Sequence, residues 1–459
     1  MTGRFLVVMV SVLWMTLGSS PLLAAIKKIQ EKNGIIAFTL SQPLDHANPK
    51  RGSFEQRFYL TNSAALGLEA PILLETAGVF TADSEALIQR EQESFAKPLG
   101  ARMVVVEHRF TGKSIPDSYG ALPKWLPFFS SRQVVEDLRQ VQKELKETFH
   151  WTGKWFAIGG SHTGSIALLL AQSFPESIDG VYASSPSHLG LGAFTSKPID
   201  RVGEILGDSC TFHFEKLVAW VEKTLDNAPS EVVAKFAKEV FDTKASVEYP
   251  AEVLFAVMNL AATSTAAGQE AFFCSYLERE FAKPSVSERD LLRGLARPYK
   301  DENGDVFLET ESGARAGLKD GATRDLRLGA LWQYLLCNEW GSLWVASKHS
   351  KVLSQQVDEA FMAGSCKRVF DIDPTKIKPN HWLGRLLAEK LPETRNVLIV
   401  DGWRDPWSLD WLIPQEKGRL SKTGIYYRSK SGGHCSDRVP RNAQDEAIRK
   451  AAIEIIKKW

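Results

Sequence analysis

Trp155-Phe156-Ala157-Ile158-Gly159-Gly160-Ser161-His162-Thr163-Gly164 is the segment on which the reading of this chain turns. An apolar run of strand character meets two glycines, a serine and a short turn. After it, Ser165 to Ser173 is small and apolar enough to pack as a helix against a sheet. A serine on so sharp a strand-to-helix turn projects its hydroxyl above the sheet, and glycines beside it relieve crowding where the backbone bends tightly. The helix N-terminus directs backbone N–H groups to the place where an oxyanion would develop. Ser161 is therefore the expected nucleophile, although Thr163 stands where a strict Gly-x-Ser-x-Gly pattern has its last glycine. Taken alone, the segment also fits a turn that merely caps a helix.

Outward from that turn, the chain alternates short strands with helices. Ile35 to Leu40 and Phe54 to Leu60 alternate in polarity, as edge or antiparallel strands do. Ile72 to Leu74, Met103 to Val106, Trp155 to Ile158, Val181 to Ala183, Val397 to Val400 and Ile425 to Tyr427 read as strands too. Most of these are continuously apolar, as strands of a buried parallel sheet are. Ser131 to Thr148 carries Val134, Val135, Leu138, Val141 and Leu145 at helical spacing, with Ser130 or Ser131 as N-cap. This rhythm implies a mostly parallel α/β sheet. It breaks after Pro186. From about Leu191 to Leu386 the pattern is helical, as in Phe212 to Leu225, Ser230 to Val240, Ala251 to Ala262 and Arg327 to Leu336, and no parallel strand is expected there. The division predicted is a sheet domain over 26–190 and 387–459 with a helical insertion over 191–386. Ala443 to Trp459 closes the chain as an amphipathic helix.

A nucleophilic serine needs a base, and the base needs an orienting acid. Both follow in the order serine, acid, histidine. Asp405 lies in Asp401-Gly402-Trp403-Arg404-Asp405-Pro406-Trp407, just beyond the strand ending at Val400. His434 lies in Ser431-Gly432-Gly433-His434-Cys435-Ser436-Asp437, after the strand at Ile425 to Tyr427. Asp401 and Asp437 compete for the acid role. Asp405 is preferred because a loop position past a strand end can reach a histidine, whereas Asp437 can serve by capping the last helix or by binding Arg438.

Composition narrows the classes of function. The chain has 459 residues, 44% apolar and 24% charged, with a formal net charge of +1. That is ordinary globular composition. The even balance supports neither nucleic-acid binding nor a polybasic membrane surface. At the N-terminus, Arg4 precedes an apolar stretch from Phe5 to Leu17 and a small-residue exit at Ala24-Ala25, the pattern of a secretory signal over residues 1–25. An exported protein without an integral membrane segment after signal removal is expected, in a periplasmic, secreted or lysosomal-type compartment. The five cysteines form no C-x-x-C pair, and no His cluster has zinc spacing, so neither metal nor cofactor is expected.

Several motifs, in order, resemble the S28 serine peptidase family, that of lysosomal Pro-Xaa carboxypeptidase and dipeptidyl peptidase II. Pro43-Leu44-Asp45-His46 and Phe54 to Phe58 resemble its opening strands. Glu107-His108-Arg109-Phe110-Thr111-Gly112-Lys113-Ser114 resembles its EHR segment, and Gly159 to Ser165 its GGSYxG elbow. Ala183-Ser184-Ser185-Pro186 resembles a strand-end segment, Trp332 to Glu339 a segment of the helical insertion, and Asp401 to Trp407 its NGxxDPW. His162 stands for the family's tyrosine, Asp401 for asparagine and Asn338 for threonine. A related family, the S37 tripeptidyl aminopeptidases, has similar opening motifs, but the elbow and the DPW segment are closer to S28.

The resemblance implies an α/β-hydrolase fold with a helical cap, and exopeptidase action next to proline in short peptides. By position it makes Ser161 the nucleophile, Asp405 the acid and His434 the base. The His162 backbone N–H and a donor near Gly78 would form the oxyanion hole. Glu339 would meet a substrate amino terminus unless it is a buried structural carboxylate, and Gln333, Trp403 and Trp407 are expected at the substrate. Glu107, His108 and Arg109 are expected in a structural ion-pair network. Cys337 with Cys366 and Cys210 with Cys274 are the expected disulfides, leaving Cys435 unpaired. The partner is a short peptide, with a second copy of the chain as a further candidate. An esterase or lipase on the same fold and an S37-like aminopeptidase are the competing activities.

Overall fold

The computed structural model describes residues 26–61, 66–81, 84–116, 122–243, 245–300, 310–319, 322–414 and 417–459. The expected signal segment, residues 1–25, lies outside them.

Continuous apolar runs build the middle of the molecule. Strands β4 (Ile72–Thr76), β5 (Arg102–Val106), β6 (Trp155–Gly160), β7 (Gly180–Ser184), β10 (Val397–Gly402) and β12 (Ile425–Ser429) run parallel in the order β5-β4-β6-β7-β10-β12. Their residues are almost all buried because helices cover both faces. Beside β5 lie β3 (Ser53–Thr61), β2 (Ile35–Pro43) and β1 (Lys27–Lys32), all antiparallel. At the far edge, β11 (Lys417–Arg419) pairs antiparallel with β12. From β2 to β12 this is the strand order of an α/β-hydrolase, and the helical insertion between β7 and β10 is its cap.

The described part of the insertion also holds one short parallel pair, β8 (Phe194–Thr195) with β9 (Leu343–Trp344). Two residues per strand are too few to carry a sequence pattern, so the expectation of no parallel strand there is corrected. The helices Lys197–Leu225, Ser230–Phe241, Pro250–Ala266, Glu270–Phe281 and Glu288–Ala296 enclose an apolar core of their own, with Phe214, Val257 and Leu292 fully buried. The disulfides Cys210–Cys274 and Cys337–Cys366 both lie in the insertion. Further on, the helix Arg324–Leu335 and the π-helical turn Leu336–Trp340 return to the sheet, where Leu328, Leu331, Leu335 and Trp340 join the main core. The cap is thus seated on the sheet domain by its own apolar residues. Among the described residues no helix is long and apolar enough to cross a membrane.

Candidate active site

β6 ends in the turn that the sequence singles out. Ser161 has φ 57° and ψ −132°, a left-handed conformation rarely adopted by a residue with a side chain. The surroundings fix it there. The Ser161 N–H donates to Ser184 O at 2.8 Å, and Thr163 Oγ1 donates to Gly160 O at 2.8 Å while accepting the Gly160 N–H at 3.0 Å. Thr163 thus bonds back across the turn, which accounts for a threonine in place of glycine. A Cβ on Gly159 would lie 2.3 Å from the Thr163 carbonyl oxygen, so position 159 admits only glycine. The helix His162–Ser173 follows directly. Gly78, in the turn after β4, sets its Cα against the first turn of that helix, where a Cβ would lie 3.6 Å from Thr163 Cγ2.

The other two strand ends bring the expected acid and base, Asp405 and His434, together. His434 Nδ1 lies 2.8 Å from Asp405 Oδ2, and Asp405 Oδ1 accepts the Trp407 N–H at 2.9 Å. Asp405 is fully buried. Burial disfavours the His434 cation, but Asp405 and, after it, Cys435 together outweigh burial and raise the imidazole well above the usual histidine range. A Cβ on Gly402 would fall 2.4 Å from Gly433 O and 2.5 Å from Gly432 O, so the acid's strand and the base's loop meet backbone to backbone. The His434 N–H donates to Ala266 O of the cap at 2.9 Å. On the elbow side, the Cys435 N–H donates to Ser185 Oγ at 3.0 Å, and a Cβ on Gly160 would come within 3.0 Å of the unpaired Cys435 Sγ.

The competing acids have other partners. Asp401 Oδ1 accepts the Gly402 N–H at 2.7 Å, and Oδ2 accepts from Ser408 Oγ, the Leu409 N–H and Tyr426 Oη at 2.9, 2.6 and 3.1 Å. It therefore shapes the loop that carries Asp405. Asp437 accepts from Ser184 Oγ at 2.6 Å and from Tyr182 Oη, and Arg438 closes on Glu75 at 2.8 Å through both Nη atoms and on Glu91 at 2.7 Å. Asp437 and Arg438 anchor the base loop to the sheet from below. In the Glu107-His108-Arg109 segment, Arg109 pairs with buried Asp137 at 2.7 Å, and Glu107 accepts from Ser114 Oγ at 2.7 Å.

A cavity of about 330 Å³ opens beside His434. Trp407, Trp332, Gln333 and Trp344 line it, and the Trp407 ring centroid is 4.8 Å from that of His434. His188 and Ser342, which the sequence reading did not single out, line it too. His188 carried no signal beyond its place four residues after the β7 strand-end serine Ser184, and Ser342 carried none. Two of the expected substrate residues lie outside this lining. Trp403 is 46% exposed, with the Arg201 guanidinium 4.0 Å from its ring centroid. Glu339 Oε1 accepts from the N–H of Ser131 at 2.8 Å and from its hydroxyl, at the start of the helix Ser131–Phe149. Burial pushes the Glu339 carboxyl up to about 7, with the Ser131 bonds acting against it. The structure thus places Glu339 at a helix N-terminus rather than on the cavity wall.

The model of serine carboxypeptidase S28 matches residues 42–194 and 258–456. The chain is 24% identical over 433 residues to the thymus-specific serine protease of Mus musculus, covering 88% of this chain and 83% of that protein. It is 24% identical over 380 residues to the probable serine protease EDA2 of Arabidopsis thaliana, covering 80% and 74%. A shorter stretch of 94 residues, 20% of this chain and 19% of the relative, is 33% identical to the human lysosomal Pro-X carboxypeptidase. With a sheet in α/β-hydrolase order, a serine at the sharp turn after β6 and a family match over most of its length, the chain belongs to the serine carboxypeptidase S28 family of serine peptidases.

Proposed function

We propose that this chain is an exported serine exopeptidase that hydrolyses peptide bonds next to proline in short peptides, with Ser161, Asp405 and His434 as its triad. Ser161 Oγ attacks the scissile carbonyl carbon while His434 Nε2 takes the hydroxyl proton. The His162 N–H and a donor at Gly78 stabilise the oxyanion. His434 then protonates the leaving amine, and water, deprotonated by the same imidazole, releases the acyl group from Ser161. Asp405 keeps the Nδ1 proton in place and stabilises the imidazolium.

The observation that carries this reading is the 2.8 Å contact of Asp405 with His434, in a loop packed against the strained Ser161 turn. The cap roofs the site, which favours chain ends over the middle of folded proteins. Proline's flat apolar ring suits indole walls such as Trp332, Trp344 and Trp407. The name of the lysosomal Pro-X carboxypeptidase supports the preference, and the two disulfides support export.

The test uses the purified protein and its Ser161→Ala variant, each incubated with a peptide library carrying proline at every position and read by mass spectrometry from acidic to neutral pH. Proline-adjacent trimming of chain ends by the wild type alone is expected. No cleavage by either protein, or equal cleavage by both, would overturn the proposal.

A further inference from the structure

The cavity beside the base contains hydrogen-bonding groups that the fold itself does not use. Both ring nitrogens of His188 and the hydroxyl of Ser342 are buried without a hydrogen-bond partner among the described residues. His188 is 4% exposed and Ser342 2%, and both line the cavity. A buried polar group left unmatched is destabilising, and such groups in a native protein call for an explanation.

Their placement is constrained. Ser342 holds φ 57°, outside the comfortable range for serine. Its N–H donates to Gly192 O at 2.7 Å, and a Cβ on the preceding Gly341 would strike that same oxygen at 2.3 Å. The His188 ring sits 5.7 Å from the Trp332 centroid and 5.6 Å from that of Trp340. Burial, with His434 nearby, pulls His188 down to about 3, so the ring is neutral, with one N–H donor and one acceptor nitrogen.

The charged groups of the same cavity are already engaged. Glu252 accepts the N–H groups of Glu248, Tyr249 and Glu311 at 2.8, 2.9 and 2.6 Å. Glu311 pairs with Arg315 at 2.7 Å and Arg368 at 2.8 Å. The unused capacity is therefore uncharged, and it combines donors with acceptors. A peptide bond, with one C=O and one N–H, has that chemistry, whereas a terminal ammonium or carboxylate does not.

We infer that His188 and Ser342 form a subsite that hydrogen-bonds a main-chain amide of the bound peptide. This deepens the peptidase reading and rests on it for the identity of the ligand. The test measures binding by calorimetry to the Ser161→Ala protein, so that it needs no turnover. The probes are Ala-Ala-Pro-Ala and its amino-acetylated and carboxy-amidated forms. Adding His188→Leu or Ser342→Ala should weaken each probe by about five- to thirtyfold, the worth of one hydrogen bond left unmade. The penalty should be the same for all three probes, and the thermal midpoints should equal or exceed that of the parent. His188→Gln, which keeps a donor and an acceptor, should recover part of the affinity. Unchanged affinity in both variants, or no binding of any probe, overturns the inference. So does a penalty that disappears on acetylation or amidation, which would assign these groups to a terminus, or a loss of affinity matched by a fall in midpoint in both variants. A wild type that binds peptide but hydrolyses none would count against the proposed function and leave the subsite standing.

Discussion

The Asp405 carboxylate divides its two oxygens between His434 and its own loop: Oδ2 meets His434 Nδ1 at 2.8 Å and Oδ1 takes the Trp407 N–H at 2.9 Å. The carboxylate is thus held in one orientation, and through Trp407 it is tied to the wall of the cavity.

Replacing Asp405 by Asn should lower kcat by about 10³- to 10⁴-fold, because the amide neither holds the reactive tautomer nor stabilises an imidazolium. The same variant should alter the pH profile. Asp405 raises His434, so its loss lowers the histidine pKa, and the acidic limb of kcat/KM moves to lower pH. Steady-state rates over a pH series check both. A residual activity whose acidic limb stays where the wild type's is would contradict this account of His434.

Asp401 should appear in stability rather than in chemistry. Burial, with Asp405 nearby, pushes its carboxyl up to about 7. In the unfolded chain it titrates near 4. Between those values the folded protein holds a proton that the unfolded chain has released. The stability of the wild type relative to Asp401→Asn should therefore decline as pH rises from about 4 to about 7, then level off. Urea unfolding at three pH values across that window measures it. A difference that is flat or that grows with pH would refute the assignment.

Arg438 with Glu75 and Glu91 is a buried charge cluster, and breaking it from one side is costly. Arg438→Met leaves two carboxylates facing each other in the interior, with an expected loss of about 3–5 kcal/mol. Changing all three to apolar residues of similar size should recover most of that loss. Chemical denaturation of the single and triple variants decides it, and equal stabilities would show that the cluster contributes little.

Legibility of the sequence followed burial. β6 and β10 announce themselves because a strand covered on both faces is apolar throughout. β1, Lys-Lys-Ile-Gln-Glu-Lys, is exposed along its whole length and carries no such pattern, so only its pairing with β2 reveals it. Asp405 could be preferred over Asp401 because a loop position past a strand end can reach a histidine, and it is Asp405 that lies 2.8 Å from His434 while Asp401 bonds within its own loop and to Tyr426. A buried structural role for Glu339 was legible as an alternative, but its partner was not. Its partner, Ser131, is 208 residues away in the chain, and the local sequence does not say that the turn carrying Glu339 ends on the start of a helix. His188 and Ser342 show themselves only as unmatched groups, a property of the folded environment rather than of the residue type.

The hydrogen bond from the His434 N–H to Ala266 O bears on what the roof of the site can do. The last turn of a cap helix holds the backbone of the residue that meets Asp405. Lifting the cap would pull on that backbone, so the covered arrangement and the contact of His434 with Asp405 are mechanically linked.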